Sequence, residues 1–497
     1  VSVDRDGVLA TLAAAVRDGR LSATQLTAEA LARIEDRDIA LRAVVARRDD
    51  DALAEAAAVD DRVAAGDPVG PLAGVPVLVK DLEDVTGMAT RQGSLLFADA
   101  LPARRDGLAT TRLRAAGAVV VGKSALPEFA LEGWTASRAH GTTHNPWDPA
   151  VSPGGSSGGS AAALSAGVVP VATATDGGGS ARIPAAFCGL LGLKPTHGVI
   201  ARRPVPDWMD LSTDGVMATT VADLALLLAV LAGPEPGDPT ALPYRLSLDA
   251  DAGRTPDRLL AAERTTDWGP LPAPVRTALA AAVEALEHLL GLTARWCAPP
   301  TLLGEGDPDT DWFTLAGPEH LFHLGPDRVA AGRGLMHPAS LAFFEAAAQV
   351  SLAEYLDARR RRFSHTAALD EALGPAGLLV TPTVAVESFP ADGWAGPDGA
   401  VTATPAAAFS TALQNLTGHP AITLPAGLLP GGLPFGVQVT GPRFADALLL
   451  DLARAWERAH PWPRTAPGYT SFDAAFGSAF DSEFDPAARS ALGTAPS

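Results

Sequence analysis

The chain has 497 residues, 47% hydrophobic and 19% charged, a globular mixture long enough for one large domain or two to three ordinary ones. Its formal net charge of −19, relieved only by the basic run RRRR at 359–362, argues against nucleic acid as a ligand. Two cysteines, Cys188 and Cys297, exclude a disulfide framework and a Cys-rich zinc site, and no metal or cofactor is expected.

The N-terminus carries charges through what would be the apolar region of a signal peptide, and the longest apolar run, LALLLAVLA at 224–232, is half a membrane span. A soluble, cytoplasmic protein with no membrane partner is expected. Residues 1–65 read as helices packing on the core, with a capping box SATQ at 22–25 followed by Leu26, Ala30 and Ile34 on one face. From residue 72 the runs GVPVLVKD, GAVVVGK, VVPVATATD, GLLVTPTV, AITLPAG and PFGVQVTG read as strands. Helical stretches at 108–116, 158–167, 221–232 and 273–290 lie between them. This alternation predicts an α/β fold with a central, largely parallel or mixed sheet covered by helices.

The Pro/Gly/Asp-rich stretch 232–243 is the candidate hinge, and 299–340 and 386–405 read as loops of the kind that shape a pocket. At the C-terminal end Phe472, Phe476, Phe480 and Phe484 recur at four-residue spacing, a stripe suited to docking on the core or at an interface. Gly477 and Pro486 count against a helix there.

Only three of the 38 Lys and Arg residues are lysine: Lys80, Lys123 and Lys194. A solvated surface cation seldom depends on which residue supplies it. A lysine kept in such an arginine-rich chain suits a role that needs a compact ammonium or a neutral amine, and the alternative is tight packing around its aliphatic stem.

Three motifs compete for the chemistry. GAVVVGKS at 117–124 matches the phosphate-loop pattern G-x-x-x-x-G-K-[ST], but the order of elements is wrong. Ala118, Val119, Val120 and Val121 favour a buried strand, the preceding LATTRLRAA reads as a helix ending at Gly117, and Lys123 and Ser124 fall in the loop after the strand. GGSSG at 154–158 satisfies G-x-S-x-G, yet a loop rather than a strand enters it. His320, His323, His337, His365, His419 and His460 sit in no telling context.

The third constellation, SPGGSSGGSAAALSAGVVPVATATDGGGSARIPAAFCGLLGLKPT at 152–196, holds two serine-bearing glycine loops around a small-residue helix and a strand. Gly177, Gly178 and Gly179 let the backbone turn its N–H groups toward one point, as an oxyanion hole requires, with Ser180 placed to attack. No histidine lies in this unit. Lys80, at the end of GVPVLVKD, is the remaining base, kept neutral by its apolar surroundings.

At these residues the chain resembles the amidase signature family. The resemblance runs from PLAGVPVLVKD through GAVVVGKSALPEFA, GTTHNPWDP and TTVADLALLLAVLAGPEPGDP to NLTGHPAITLPAG and GLPFGVQVTGP, nearly the whole chain. It implies the amidase-signature fold, a central twisted mixed sheet with helices on both faces. The implied domains are the helical segment 1–65, a catalytic domain 66–470 with its signature core at about 72–235, and a tail 471–497.

The resemblance also implies a triad of Lys80, Ser156 and Ser180, with a cis peptide between Gly155 and Ser156. Neutral Lys80 takes a proton relayed through Ser156, Ser180 attacks the carbonyl, and the N–H groups of Gly177, Gly178, Gly179 and Ser180 hold the oxyanion. The relay run backwards protonates the leaving amine, and water releases the acid. Gly155, Ser157, Asp176 and Arg182 read as structural support, the last two as a buried pair bracing the nucleophile loop. Ser160 and Lys194 also read as structural.

The expected activity is cofactor-independent cleavage of small-molecule amides, with esters, anilides and carbamates as side substrates, by a monomer or homodimer. The segments ARIPAAFCGLLGLKPT and THNPWDP look similar to bacterial hydrolases of aryl amides or nylon-type oligoamides. The alternative is the glutaminase subunit of a tRNA-dependent amidotransferase. Against it stand ARIP and DLSTDGVMA, where that subunit usually has a Gln-Pro pair and a Ser-Leu-Asp-Gln run. A non-catalytic binding protein on the same fold is a third reading, opposed by the intact triad. Pocket walls are expected in 126–140, 200–216, 299–345 and 404–416.

Overall fold

A computed structural model describes residues 7–248, 255–266, 269–298, 302–393 and 408–477. The strands in chain order are β1 (Val44–Arg47), β2 (Pro76–Lys80), β3 (Val119–Ser124), β4 (Ala136–Ser137), β5 (Gly141–Thr142), β6 (Val171–Ala172) and β7 (Ala174–Asp176). They continue with β8 (Leu191–Lys194), β9 (Thr213–Ala218), β10 (Arg258–Ala261), β11 (Ala294–Trp296), β12 (Gly377–Pro382), β13 (Ala421–Leu428) and β14 (Pro434–Thr440).

An eight-stranded mixed sheet has the order β11-β10-β12-β14-β13-β8-β9-β7. It is parallel from β11 to β12 and antiparallel across the remaining pairs. A four-stranded sheet, β1-β3-β2-β6, adjoins it, and the chain steps from one sheet to the other at Thr173, between β6 and β7. Every residue of β2, β3, β12 and β14 is buried, which requires cover on both faces and accounts for their largely apolar sequences, the polar residues among them lying in the interior. The α/β class and the helix-covered mixed sheet are as the sequence predicts.

The helices start where capping chemistry permits. Ser22 and Gln25 form a reciprocal capping box on Ala23–Leu41, as SATQ predicts. Thr220 caps Val221–Leu231, and Asp223 in that first turn accepts from Leu9 N–H at 2.9 Å, which ties the N-terminal helix Val8–Arg17 to the core. Helix Gly158–Ser165 is buried throughout, and a Cβ on Gly159 would stand 2.4 Å from Ala125 N, so only glycine allows this approach.

Two local expectations are corrected. Helices Pro308–Leu324, Pro326–Ala331 and Pro338–Ala347 fill most of the stretch read as loop at 299–340. Each has proline in its first turn, where the missing N–H would have had no intrahelical acceptor. Lys123 and Ser124 close β3 instead of following it. A register shift skips Val121, pairing Lys123 with Val79 and Ser124 with Lys80. GAVVVGKS is therefore a helix exit at Gly117 (φ 93°) and a buried strand, with no bend around a phosphate.

Three arginines of the RRRR run are half-buried in ion pairs, Arg359 and Arg362 with Asp210 and Arg361 with Asp311, while Arg360 stays exposed. Phe472 is buried beneath the Arg33 guanidinium, and Phe476 stacks beside it in a short 3-10 turn. Phe480 and Phe484 lie outside the described residues, as do residues 394–407. Among the described residues no helix is long and apolar enough to cross a membrane.

Candidate active site

β2 ends by delivering Lys80 into the protein. Its backbone N–H donates to Thr173 Oγ1 at 2.8 Å, and its side chain is buried. Lys80 Nζ lies 2.8 Å from Ser156 Oγ, 3.0 Å from Ser157 Oγ and 2.8 Å from Thr175 Oγ1. Burial pushes the ammonium down to about 7, against the opposing pull of Glu83, Asp176 and Asp214. A neutral amine keeps two N–H donors and one lone pair, so one of the three hydroxyls donates to it.

The Gly155–Ser156 peptide is cis, and Ser156 and Ser180 line one cavity. Ser157 N–H donates to Ser180 O at 3.2 Å, which couples the two glycine loops. Trp312 Nε1 donates to Gly177 O at 2.7 Å, turning the Gly178 N–H of that peptide the other way. Gly179 adopts φ 126°, and its N–H donates to Asp176 Oδ1 at 2.8 Å. The N–H groups of Gly177, Gly178 and Ser180 have no acceptor among the described residues.

Beneath this loop the Arg182 guanidinium grips Asp176 in a fork, Nε to Oδ2 at 2.9 Å and Nη2 to Oδ1 at 2.8 Å, with both side chains fully buried. Burial raises the Asp176 carboxyl, but the Arg182 charge and hydrogen bonds outweigh it and hold the group below its usual range. Arg182 also donates to Gln438 Oε1 and Asn415 Oδ1, at 2.6 and 2.7 Å. Ser160 donates to Thr173 O at 2.7 Å, and Lys194 to Pro195 O at 2.9 Å, both inside the core.

Two cavities meet at Ser180. The first, about 350 Å³, is lined by Ser156 and Thr175 and by polar groups that include Glu83, Gln92 and Asp214. The second, about 360 Å³, is walled by Ile183, Trp312, Phe313, Phe343 and Phe409. Ala130, Trp208 and Ser180 belong to both. The walls draw on all four expected segments, and also on residues 82–109, which the sequence reading does not place there.

Sequence reasoning misses other groups as well. Thr173, at the step between the two sheets, and Thr175, in β7, both serve Lys80, and nothing in VATATD marks either as its partner. His320 and His323, one helical turn apart, flank Asp207 at 3.2 and 3.0 Å on the wall of the first cavity. Their spacing marks a shared helix face; nothing in the sequence marks Asp207.

A family model described as Amidase matches residues 25–303 and 332–450. Over 468 residues the chain is 34% identical to a glutamyl-tRNA(Gln) amidotransferase subunit of Cyanothece sp. (strain PCC 7425 / ATCC 29141), covering 89% of this chain and 95% of that one. It is 36% identical over 476 residues to the putative amidase AmiB2 of Mycobacterium bovis (strain ATCC BAA-935 / AF2122/97), covering 90% and 95%. The structure matches that of a bacterial aryl acylamidase of the amidase signature family with a TM-score of 0.83 at 26% identity, over 93% of this chain and 98% of that one. The chain therefore belongs to the amidase signature family, whose members are hydrolases of carbon–nitrogen bonds.

Proposed function

We propose that the protein hydrolyses carboxylic amides through an acyl-enzyme on Ser180, with Ser156 as proton relay and Lys80 as base. The observation that carries this reading is the fully buried Lys80 amine 2.8 Å from Ser156 Oγ, a setting in which burial lowers its ammonium to about 7. A base with that value is about half neutral at physiological pH. Lys80 accepts the Ser156 proton as Ser156 accepts that of Ser180, and Ser180 Oγ bonds to the substrate carbonyl carbon. Return of the proton through Ser156 to the amide nitrogen lets the C–N bond break. Water, activated by the same relay, then frees the acid and restores Ser180.

The developing oxyanion faces the free N–H groups of Gly177, Gly178 and Ser180. One such donor supplies about 3 kcal/mol of transition-state stabilisation. Gly179, whose N–H is held by Asp176, contributes the bend of the loop. The aromatic cavity suits an apolar or aryl acyl group, so aryl amides, anilides, esters and carbamates fall within reach. The test is a panel of p-nitroanilides, p-nitrophenyl esters and aryl carbamates with Ser180→Ala as control, together with mass detection of acylated Ser180. No turnover of any of them by the wild type sinks the reading.

A glutaminase subunit is the second reading, favoured by the 34% identity to the Cyanothece protein. Glutamine hydrolysis that appears only when partner subunits are added would establish it. The ARIP and DLSTDGVMA segments weigh against it, and they supply Ile183 and Asp214 to the two cavities.

A further inference from the structure

The loop leaving β2 carries Glu83 and Gln92 to the first cavity, where Asp84 and Asp214 also stand. Both Glu83 carboxylate oxygens and Gln92 Oε1 are buried with no hydrogen-bond partner. Among the described residues Glu83, Asp84 and Asp214 make no ion pair, and the two arginines that line this cavity are engaged elsewhere. Arg203 pairs with Glu235, Arg202 donates to the Ser212 and Met209 carbonyls, and His320 and His323 share Asp207.

A carboxylate removed from water without a donor is strongly disfavoured as the anion. Burial and the neighbouring Asp214 accordingly push the Glu83 carboxyl well above its usual range. A cation brought into the cavity supplies the missing donors and restores the charged form. These three unpartnered oxygens belong to residues lining a polar cavity that also reaches the nucleophile.

We propose that this acceptor-lined end of the first cavity binds an ammonium group carried on the amine half of the substrate, while the acyl half occupies the aromatic cavity. The inference rests on the relay proposed above. The leaving nitrogen must reach the Ser156 hydroxyl, and Ser156 lines the first cavity only, whereas Ser180 lines both. The substrate class is amides of apolar or aromatic acids with diamines. On cleavage the C–N bond breaks, the nitrogen takes the relayed proton, the diamine leaves through the first cavity, and water releases the acid from Ser180.

The probes are ω-aminoalkyl benzamides with spacers from ethyl to hexyl, each paired with the N-alkyl benzamide of matched length. Their binding to Ser180→Ala is measured by calorimetry at neutral pH, so no turnover is needed. At one or more spacer lengths the cationic probe is expected to bind about tenfold tighter than its neutral partner or better, and the Ser180→Ala/Glu83→Gln double variant to reduce that ratio to about twofold or less. Equal binding at every spacer length, a preference that survives Glu83→Gln, or no binding of either probe series overturns the proposal. If Glu83→Gln fails to fold by circular dichroism, Asp214→Asn carries the same expectation. Turnover of p-nitroanilides by the wild type is read separately. Turnover without ammonium preference removes this inference alone, and ammonium preference without turnover removes the hydrolase reading.

Discussion

Lys123 Nζ lies 2.8 Å from Asp81 Oδ1, on the face of the small sheet opposite the one that Lys80 uses. Side chains alternate along β2, and Lys123 pairs in parallel register with Val79, so Val79, Asp81 and Lys123 share one face while Lys80 points to the other. The same ammonium donates to Ala89 O at 3.1 Å and to Thr90 Oγ1 at 2.9 Å. Three donors thus meet three acceptors at both ends of the loop that brings Glu83 to the cavity. This accounts for a lysine here in a chain that otherwise uses arginine almost throughout, since a planar guanidinium fits neither the converging acceptors nor the volume.

Lys123→Arg is therefore expected to lower stability by about 1–3 kcal/mol through overpacking. Lys123→Ala, which strands the buried Asp81, should lose about 3–5 kcal/mol. Urea unfolding measures both. An unchanged midpoint for Lys123→Arg removes this account of the lysine.

Lys80 sets the pH dependence. Burial lowers its ammonium to about 7, and the proposed relay needs the neutral amine. Raising the pH through about 7 removes the inhibiting proton, so kcat/KM rises to a plateau; below it, kcat/KM falls about tenfold per pH unit. Lys80→Arg keeps the charge but cannot release a proton, and is expected to lose about 10³-fold or more in kcat/KM. A pH–rate profile on a p-nitroanilide reads the first expectation. A near-normal rate for Lys80→Arg removes Lys80 as the base.

Lys80 and Ser180 stand out in the sequence as a lysine closing an apolar strand and a serine ending a glycine run, whereas Ser156 is marked only by the family resemblance; the structure sets Ser156 and Ser180 on one cavity, with Lys80 buried behind Ser156. The fold class is legible for a similar reason: the apolar runs are too short for helices and too continuous for half-exposed strands. Thr175 is not legible, since a strand threonine is ordinary and this one matters only because it meets Lys80 across the sheets. Glu83 is hidden by its setting. Between Leu82 and Asp84 it reads as a solvated loop residue, and only the tertiary path turns its oxygens inward. Pro308, Pro326 and Pro338 read as breakers although each opens a helix, because the same missing N–H that ends a helix is harmless in its first turn.

The Asp176–Arg182 fork makes the nucleophile loop dependent on guanidinium geometry. Lysine in place of Arg182 reaches one carboxylate oxygen and abandons Gln438 and Asn415. Arg182→Lys is expected to cost about 3–5 kcal/mol, read by urea unfolding. Asp176 has its folded value below its unfolded one, so its contribution is present above about pH 4 and lost as the pH falls through the folded value. Asp176→Asn should therefore flatten the acid limb of the stability curve. An acid limb identical to that of the wild type contradicts the brace.

Gly179 offers the sharpest separation of loop shape from loop chemistry. At φ 126° a side chain is strained, and a Cβ would stand 2.3 Å from Thr411 Oγ1, the hydroxyl that donates to Gly178 O at 2.5 Å. Gly179→Ala must displace Thr411 or rotate the Gly178–Gly179 peptide, and rotation takes the Gly179 N–H away from Asp176. Stability should fall by about 1–3 kcal/mol, and kcat by about 10²-fold or more as the neighbouring Gly178 and Ser180 donors lose their aim. Adding Thr411→Gly to Gly179→Ala removes both Thr411 atoms that crowd the new Cβ, leaving only the movable end of Ile183, but not the positive φ. If crowding governs, the double variant regains most of the lost rate; if backbone conformation governs, it regains stability alone. Wild-type kcat/KM in Gly179→Ala would show that the bend at this position has no part in holding the oxyanion donors.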